Sequence, residues 1–207
     1  SLLCPNPVKI PKGFWERYRK TATRRERIEL IKECELLTDK AIFQLRVIAL
    51  DVDSNFDEVL PHWERLKEEL GITKGYAVVK TKSGRFRAYI FLEPSEIAGK
   101  EFYLSTKHLN RAREFIAIVG AYFKKAGLNF DLSFQRVNHP LFVEGIDYNG
   151  KKYEIVEVKK GYAGRFYNLY RKVKYLQKKE ELWYLGETYY LENSGTGNRQ
   201  RKERKQK

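Results

Sequence analysis

Asp51 and Asp53 stand two residues apart at the end of the apolar run Val47-Ile48-Ala49-Leu50. In a β-strand, side chains alternate between faces, so this spacing aims both carboxylates the same way. Two like charges held side by side repel each other. One resolution is bland: one acid caps the next helix and the other is a solvated strand-end carboxylate. The other is chemical. Hard oxygen ligands on a rigid strand suit Mg²⁺ or Mn²⁺, and bound cations cancel the repulsion. An isolated Asp-x-Asp is weak evidence, so its place among the surrounding elements matters.

Residues 13–37 read as a helix, with Ile28, Ile31 and Cys34 at near-helical spacing. Residues 42–52 read as a strand. Ser54 or Asn55 can cap a helix to Leu70, with Phe56, Val59, Leu60, Trp63, Leu66 and Leu70 on one stripe. Pro61 predicts a start or kink within that stripe, and Gly71 ends it. Tyr76 to Lys80 and Arg85 to Leu92 read as strands joined through Lys82-Ser83-Gly84. Leu109, Ala112, Ile116, Val119, Phe123 and Ala126 give the cleanest helical stripe, stopped by Gly127. Leu141 to Tyr148 and Tyr153 to Val158 predict a second hairpin around Asn149-Gly150. A basic, aromatic helix follows over 165–179.

The expected fold class is therefore α+β. Its core is a βαββαβ unit over residues 42–147, RRM-like or ferredoxin-like, an antiparallel sheet backed by helices. An N-terminal helix precedes it and a basic hairpin-helix extension follows. The expected organisation is a helical extension over 1–40, one domain over 41–192, and a disordered basic tail over 193–207. Topology alone implies no activity. It does place the acid pair at the carboxyl end of the first strand, beside the following turn.

The chain has 207 residues, 42% of them apolar, enough for one cored domain. Cys4 and Cys34 lack a Cys-x-x-Cys partner, which argues against a zinc ribbon or disulfide framework and suits a reducing, cytoplasmic setting. No apolar run approaches a membrane span, and no signal-peptide pattern is visible, so no membrane partner is expected. The net charge of +14 is unevenly placed. Residues 47–150 hold 14 basic and 14 acidic residues; residues 9–46 carry 11 against 6, 151–179 carry 10 against 2, and 199–207 carry 6 against 1. A neutral centre bearing the acid pair lies between basic flanks, which suggests a polyanion brought to a carboxylate site.

With "VIALDVDS", "VVKTKSGRFRAYIFL" and "GLNFDLSFQRVNHPLF" in this order, residues 42–145 resemble the archaeo-eukaryotic primase (primase-polymerase) superfamily, in particular its plasmid replication-initiator, or replicase, branch. The resemblance implies a metal-dependent nucleotidyltransferase, a DNA primase or polymerase that replicates a plasmid or other mobile element. Its partners would be a DNA template and nucleoside triphosphates, and its cofactor Mg²⁺ or Mn²⁺. Carried onto this chain, Asp51, Asp53 and Asp131 become the metal-binding catalytic acids, and Ser83-Gly84 the small turn of the second motif. Arg136 and His139, within Asn138-His139-Pro140, become supports for the nucleotide phosphates.

The second motif departs from the family. Its usual His is Arg87 here, a permanent, forked cation that can bind phosphate but cannot titrate near neutral pH. His108, in "STKH", is a rival for that role. Asp147 is a rival third acid, although its place before Tyr148-Asn149-Gly150 also suits an ordinary turn. Arg85 and Lys82 add charge for a triphosphate. On the basic helix, Arg165, Tyr170, Lys172 and Lys174 are candidate nucleic-acid contacts; Tyr162, Phe166, Tyr167, Tyr170 and Tyr175 are interleaved with cations, so aromatics can stack on bases while cations follow phosphates. Phe166, Leu169, Val173 and Leu176 on the same helix make a core stripe.

Two other functions fit the same outline. One is a non-catalytic RRM-like nucleic-acid-binding replication initiator, but the strands carry acids and arginines where that class needs exposed aromatics. The other is a rolling-circle nicking protein. It needs paired His ligands, and His62, His108 and His139 contain no His-x-His pair.

Overall fold

A computed structural model of the chain describes residues 2–3, 6, 8–36, 42, 44–94, 96–97, 100–101, 106–130, 141–142 and 154–182. In chain order the elements are β1 (Leu2–Leu3), α1 (Phe14–Lys20), α2 (Arg24–Glu33), β2 (Val47–Asn55), α3 (Phe56–Leu70), β3 (Tyr76–Lys80) and β4 (Arg85–Phe91). They continue with β5 (Glu96–Ile97), β6 (Lys100–Glu101), α4 (Thr106–Lys125), β7 (Leu141–Phe142), β8 (Glu154–Lys159) and α5 (Phe166–Lys179).

Four strands form an antiparallel sheet in the order β2-β4-β3-β8. Alternation along β2 sets its two faces. Ile48, Leu50 and Val52 are fully buried in the main core, which also takes Val59, Trp63, Leu66 and Leu70 from α3, Phe115, Ile116 and Val119 from α4, and Leu169, Val173 and Leu176 from α5. Fully burying side chains of this kind is worth about 1.5–3 kcal/mol each. Val47 and Ala49 turn to the second face, where they pack with Ala77, Val79, Tyr89 and Phe91 in a smaller cluster. Asp51 and Asp53 follow on that second face. The fold is α+β: an antiparallel sheet with α3, α4 and α5 on one side, while Phe14 of α1 and Leu30 of α2 pack in a separate small cluster.

The helix expected over 13–37 is two helices. Thr23 and Glu26 form a capping box in which the Thr23 hydroxyl accepts from the Glu26 N–H and the Glu26 carboxylate accepts from the Thr23 N–H. That reciprocal pair satisfies the first turn of α2 and breaks the chain at Thr21 to Thr23. Pro61, in contrast, interrupts nothing: α3 runs through it from an Asn55 cap to Gly71. Pro61 lies on the exposed side, where water can serve the carbonyl it leaves unbonded.

The β3–β4 hairpin forms as expected from the sequence. The second expected hairpin has a different outcome among the described residues. β8 pairs with β3 at the sheet edge, while Leu141 and Phe142 pair with Leu3 and Leu2. Residues 143–153, including its turn, lie outside the described residues, as does the tail over 193–207. No helix among the described residues is long and apolar enough to cross a membrane.

Candidate active site

Antiparallel pairing places Asp51 of β2 directly opposite Arg87 of β4. The guanidinium donates through Nη2 to Asp51 Oδ2 at 3.0 Å and through Nε to Oδ1 at 3.5 Å. Both side chains are largely withdrawn from water, at 9% and 15% exposure. Burial pulls the Arg87 basicity down, but attraction to Asp51 more than offsets it, and the net shift is upward. Tyr89, two residues along β4 on the same face, adds a smaller upward contribution.

One step toward the strand end, Asp53 pairs with Arg85. The ladder slips here, with a bulge between Val52 and Asn55, so that Asn55 opposes Arg85. A bulge re-aims the side chains beside it, and Asp53 reaches back to the arginine. This pair is the more open of the two. The two acids and two arginines thus form a charge-balanced row on one sheet face.

The turn before β4 is tied to the same end of the sheet. The Gly84 N–H donates to the Thr81 carbonyl, the Arg85 N–H donates to the Thr81 hydroxyl, and Ser83 and Thr81 share a hydroxyl hydrogen bond. Gly84 adopts φ of 78°, which favours glycine, and its carbonyl accepts from the Phe56 N–H at the start of α3. Ser83 and Arg85 therefore lie beside the β2–α3 junction.

A third segment reaches this junction. The Asp53 N–H donates to the Asn129 carbonyl at 2.6 Å, the Asn129 N–H donates to the Ser54 hydroxyl at 2.8 Å, and Val52 and Phe130 form a β-bridge. The chain after α4 is thus stitched to the acid-bearing end of β2. Asp131, Arg136 and His139, together with the rival Asp147, lie outside the described residues. His108 falls in the first turn of α4. At 1.5 Å per residue its backbone lies about 26 Å along the axis from Lys125, the end that leads into this junction.

Asp51 and Asp53 supply the hard oxygen donors that Mg²⁺ and Mn²⁺ take, and Mg²⁺ is commonly held by one or two carboxylates plus substrate phosphates. The donor set fits such an ion. No group of three or more His, Cys, Asp or Glu side chains is positioned to hold a metal among the described residues. Each acid already has a guanidinium partner, so a cation and an anionic ligand would enter together: the cation takes the carboxylates while the ligand takes the arginines.

The candidate nucleic-acid residues of α5 are mostly engaged inside the molecule. Tyr170 hydrogen-bonds Glu114, Lys174 reaches Glu114 at 2.8 Å and Gln177 at 2.7 Å, and Lys172 donates to the Leu70 carbonyl at 2.8 Å. Arg165 is solvent-exposed, 3.7 Å from Glu93. The exposed residues of α5 are Tyr167, Asn168, Arg171, Lys172, Tyr175, Lys178 and Lys179, of which Tyr167, Arg171, Tyr175 and Lys178 share one stripe. The sequence already offered Tyr167 and Tyr175 as stacking aromatics; Arg171 and Lys178 were not singled out, although the Leu169, Val173 and Leu176 stripe implied which face points out.

No protein-family model matches the chain, and no curated protein matches it. Among solved structures it is similar to the AEP domain of the primase-polymerase of cyanophage S-2L. That match has 13% identity, covers 73% of this chain and 76% of that one, and has a TM-score of 0.46.

Proposed function

We propose that this chain is a metal-dependent nucleotidyltransferase of primase-polymerase type, built on an RRM-like core and acting in replication of a plasmid or other mobile element. The observation that carries the reading is the cross-strand row Asp51–Arg87 and Asp53–Arg85, two carboxylates and two guanidiniums on one face at one strand end. That combination has a use in binding a cation–triphosphate complex. Asp51 and Asp53, joined by Asp131 one residue beyond the Phe130 bridge, would hold the ions.

Bound there, Mg²⁺ or Mn²⁺ would lower the pKa of a primer 3′-hydroxyl and neutralise the departing pyrophosphate. Arg87 and Arg85 bind the triphosphate oxygens, exchanging carboxylate for phosphate as partner. The 3′-oxygen forms a bond to the α-phosphorus, the bond to the bridging oxygen breaks, pyrophosphate leaves, and the hydroxyl proton passes to solvent. The protein's part is positioning and charge stabilisation, as phosphoryl-group chemistry generally requires. Arg136 and His139 would extend the phosphate contacts, and His108 is the less favoured second-motif residue because of its position along α4.

A non-catalytic RRM-like binding role is disfavoured by Tyr89. This central-strand aromatic is only 9% exposed and unavailable for base stacking. The test is incorporation of labelled nucleotide on a primed single-stranded template with Mg²⁺ or Mn²⁺. The chain should extend the primer, and Asp51→Asn with Asp53→Asn should reduce extension to background. Undiminished extension by that double variant would sink the proposal.

A further inference from the structure

We propose that the outer face of α5 is a docking track for single-stranded nucleic acid, separate from the acid–arginine row and lying on the opposite side of the sheet. The helix has three faces with different fates. Leu169, Val173 and Leu176 enter the main core. The flanking cations are consumed internally: Lys174 by Glu114, Lys179 by Glu69 and Lys172 by the Leu70 carbonyl. On the third face, Arg171 and Lys178 make no ion pair with a described residue, and they alternate with Tyr167 and Tyr175, exposed at 55% and 68%.

Spacings of four, four and three residues align Tyr167, Arg171, Tyr175 and Lys178 along one stripe. From Tyr167 to Tyr175 the rise is about 12 Å, matching three to four stacked nucleotides at ~3.4 Å each. Arg111 of α4 lies 5.8 Å from the ring centroids of both Tyr167 and Tyr170. Its guanidinium backs the Tyr167 ring and steadies it as a stacking platform.

Charge selects a polyanion as the occupant. Residues 166–179 carry five basic and no acidic side chains, and two of the five, Arg171 and Lys178, make no ion pair with a described residue. The interleaved tyrosines select a single strand, whose base faces are free to stack, over a duplex, whose bases already stack on each other. The track needs neither metal nor triphosphate, so it stands independently of the nucleotidyl-transfer reading.

The test is fluorescence anisotropy of a labelled oligothymidylate with the full chain, in EDTA, over a salt series. Tyr167→Ala and Tyr175→Ala should each weaken binding about fivefold or more, as lost base stacking does. Arg171→Ala and Lys178→Ala should each lower the log–log salt slope by about 0.7. Arg24→Ala, which removes the same charge from α2, should leave both nearly unchanged. Circular dichroism checks that these surface variants keep their fold. Undiminished affinity in the double tyrosine variant, an equal loss from Arg24→Ala, or a duplex that binds as tightly as the single strand would each overturn the track. Because EDTA removes divalent metal, a failure of the metal site leaves this result untouched.

Discussion

Asp51 and Arg87 meet as a two-point ion pair across the β2–β4 ladder, with both side chains largely out of water. The partners are 36 positions apart in sequence and are joined only by strand pairing. In that setting each charge depends on the other, because a buried charge left alone is costly.

Arg87→Leu should therefore destabilise the chain by about 3 kcal/mol, since it leaves the Asp51 carboxylate uncompensated. Adding Asp51→Leu should return most of that loss, because the second change removes the stranded charge. Urea-unfolding midpoints of the two single variants and the double variant measure the coupling. Additive losses would show that the pair is not an energetic unit.

The Asp53–Arg85 pair should behave differently. Its side chains are 38% and 49% exposed, so water and salt screen the attraction. Arg85→Ala should change stability by no more than about 1 kcal/mol. It should weaken triphosphate binding, because a charge-assisted contact to phosphate is lost. Parallel urea and nucleotide titrations separate the effects, and a large stability loss with unchanged nucleotide affinity would reverse these roles.

Glu180 gives a pH signature. Its hydrogen bond with Lys125, opposed by burial and aided by the charges of Lys125 and nearby Arg65 and Lys179, holds its carboxyl below the ordinary value. A depressed folded-state value contributes stability above the unfolded-state value. That contribution is lost as pH falls through the lower, folded-state value. Wild type should therefore exceed Glu180→Gln in urea midpoint at pH 6, and the gap should close toward pH 3. A constant gap would mean that the carboxylate does not contribute through its charge.

Much of the scaffold was legible from periodicity. The α3 and α4 stripes and the Lys82-Ser83-Gly84 hairpin needed only local rules, and the Asp51–Asp53 spacing gave their shared face. The α1–α2 break was also local, set by Thr23-x-x-Glu26, but the helix over 13–37 was read from Ile28, Ile31 and Cys34, all of which lie beyond that capping box. The match of each acid to an arginine was not legible. It depends on β2–β4 register and on the bulge after Val52, both of which are set by tertiary pairing. On α5 the inner stripe was read correctly, yet Tyr170, Lys172 and Lys174 sit on its shoulders, where Glu114 and the end of α3 reach them. Which cations a fold neutralises depends on neighbours distant in sequence.

The central claim is that this acid–arginine row receives a metal–triphosphate complex. Its most direct test is Mn²⁺ binding followed by electron paramagnetic resonance, with and without a non-hydrolysable nucleoside triphosphate. Alone, Mn²⁺ must compete with Arg87 and Arg85 for the carboxylates; with triphosphate present, the arginines gain another partner. The account predicts that triphosphate tightens Mn²⁺ binding to the protein, beyond Mn²⁺ bound by free nucleotide, by about tenfold or more. It predicts that Asp51→Asn with Asp53→Asn abolishes the protein-bound signal. Mn²⁺ binding that ignores the triphosphate, or that survives loss of both carboxylates, would contradict it.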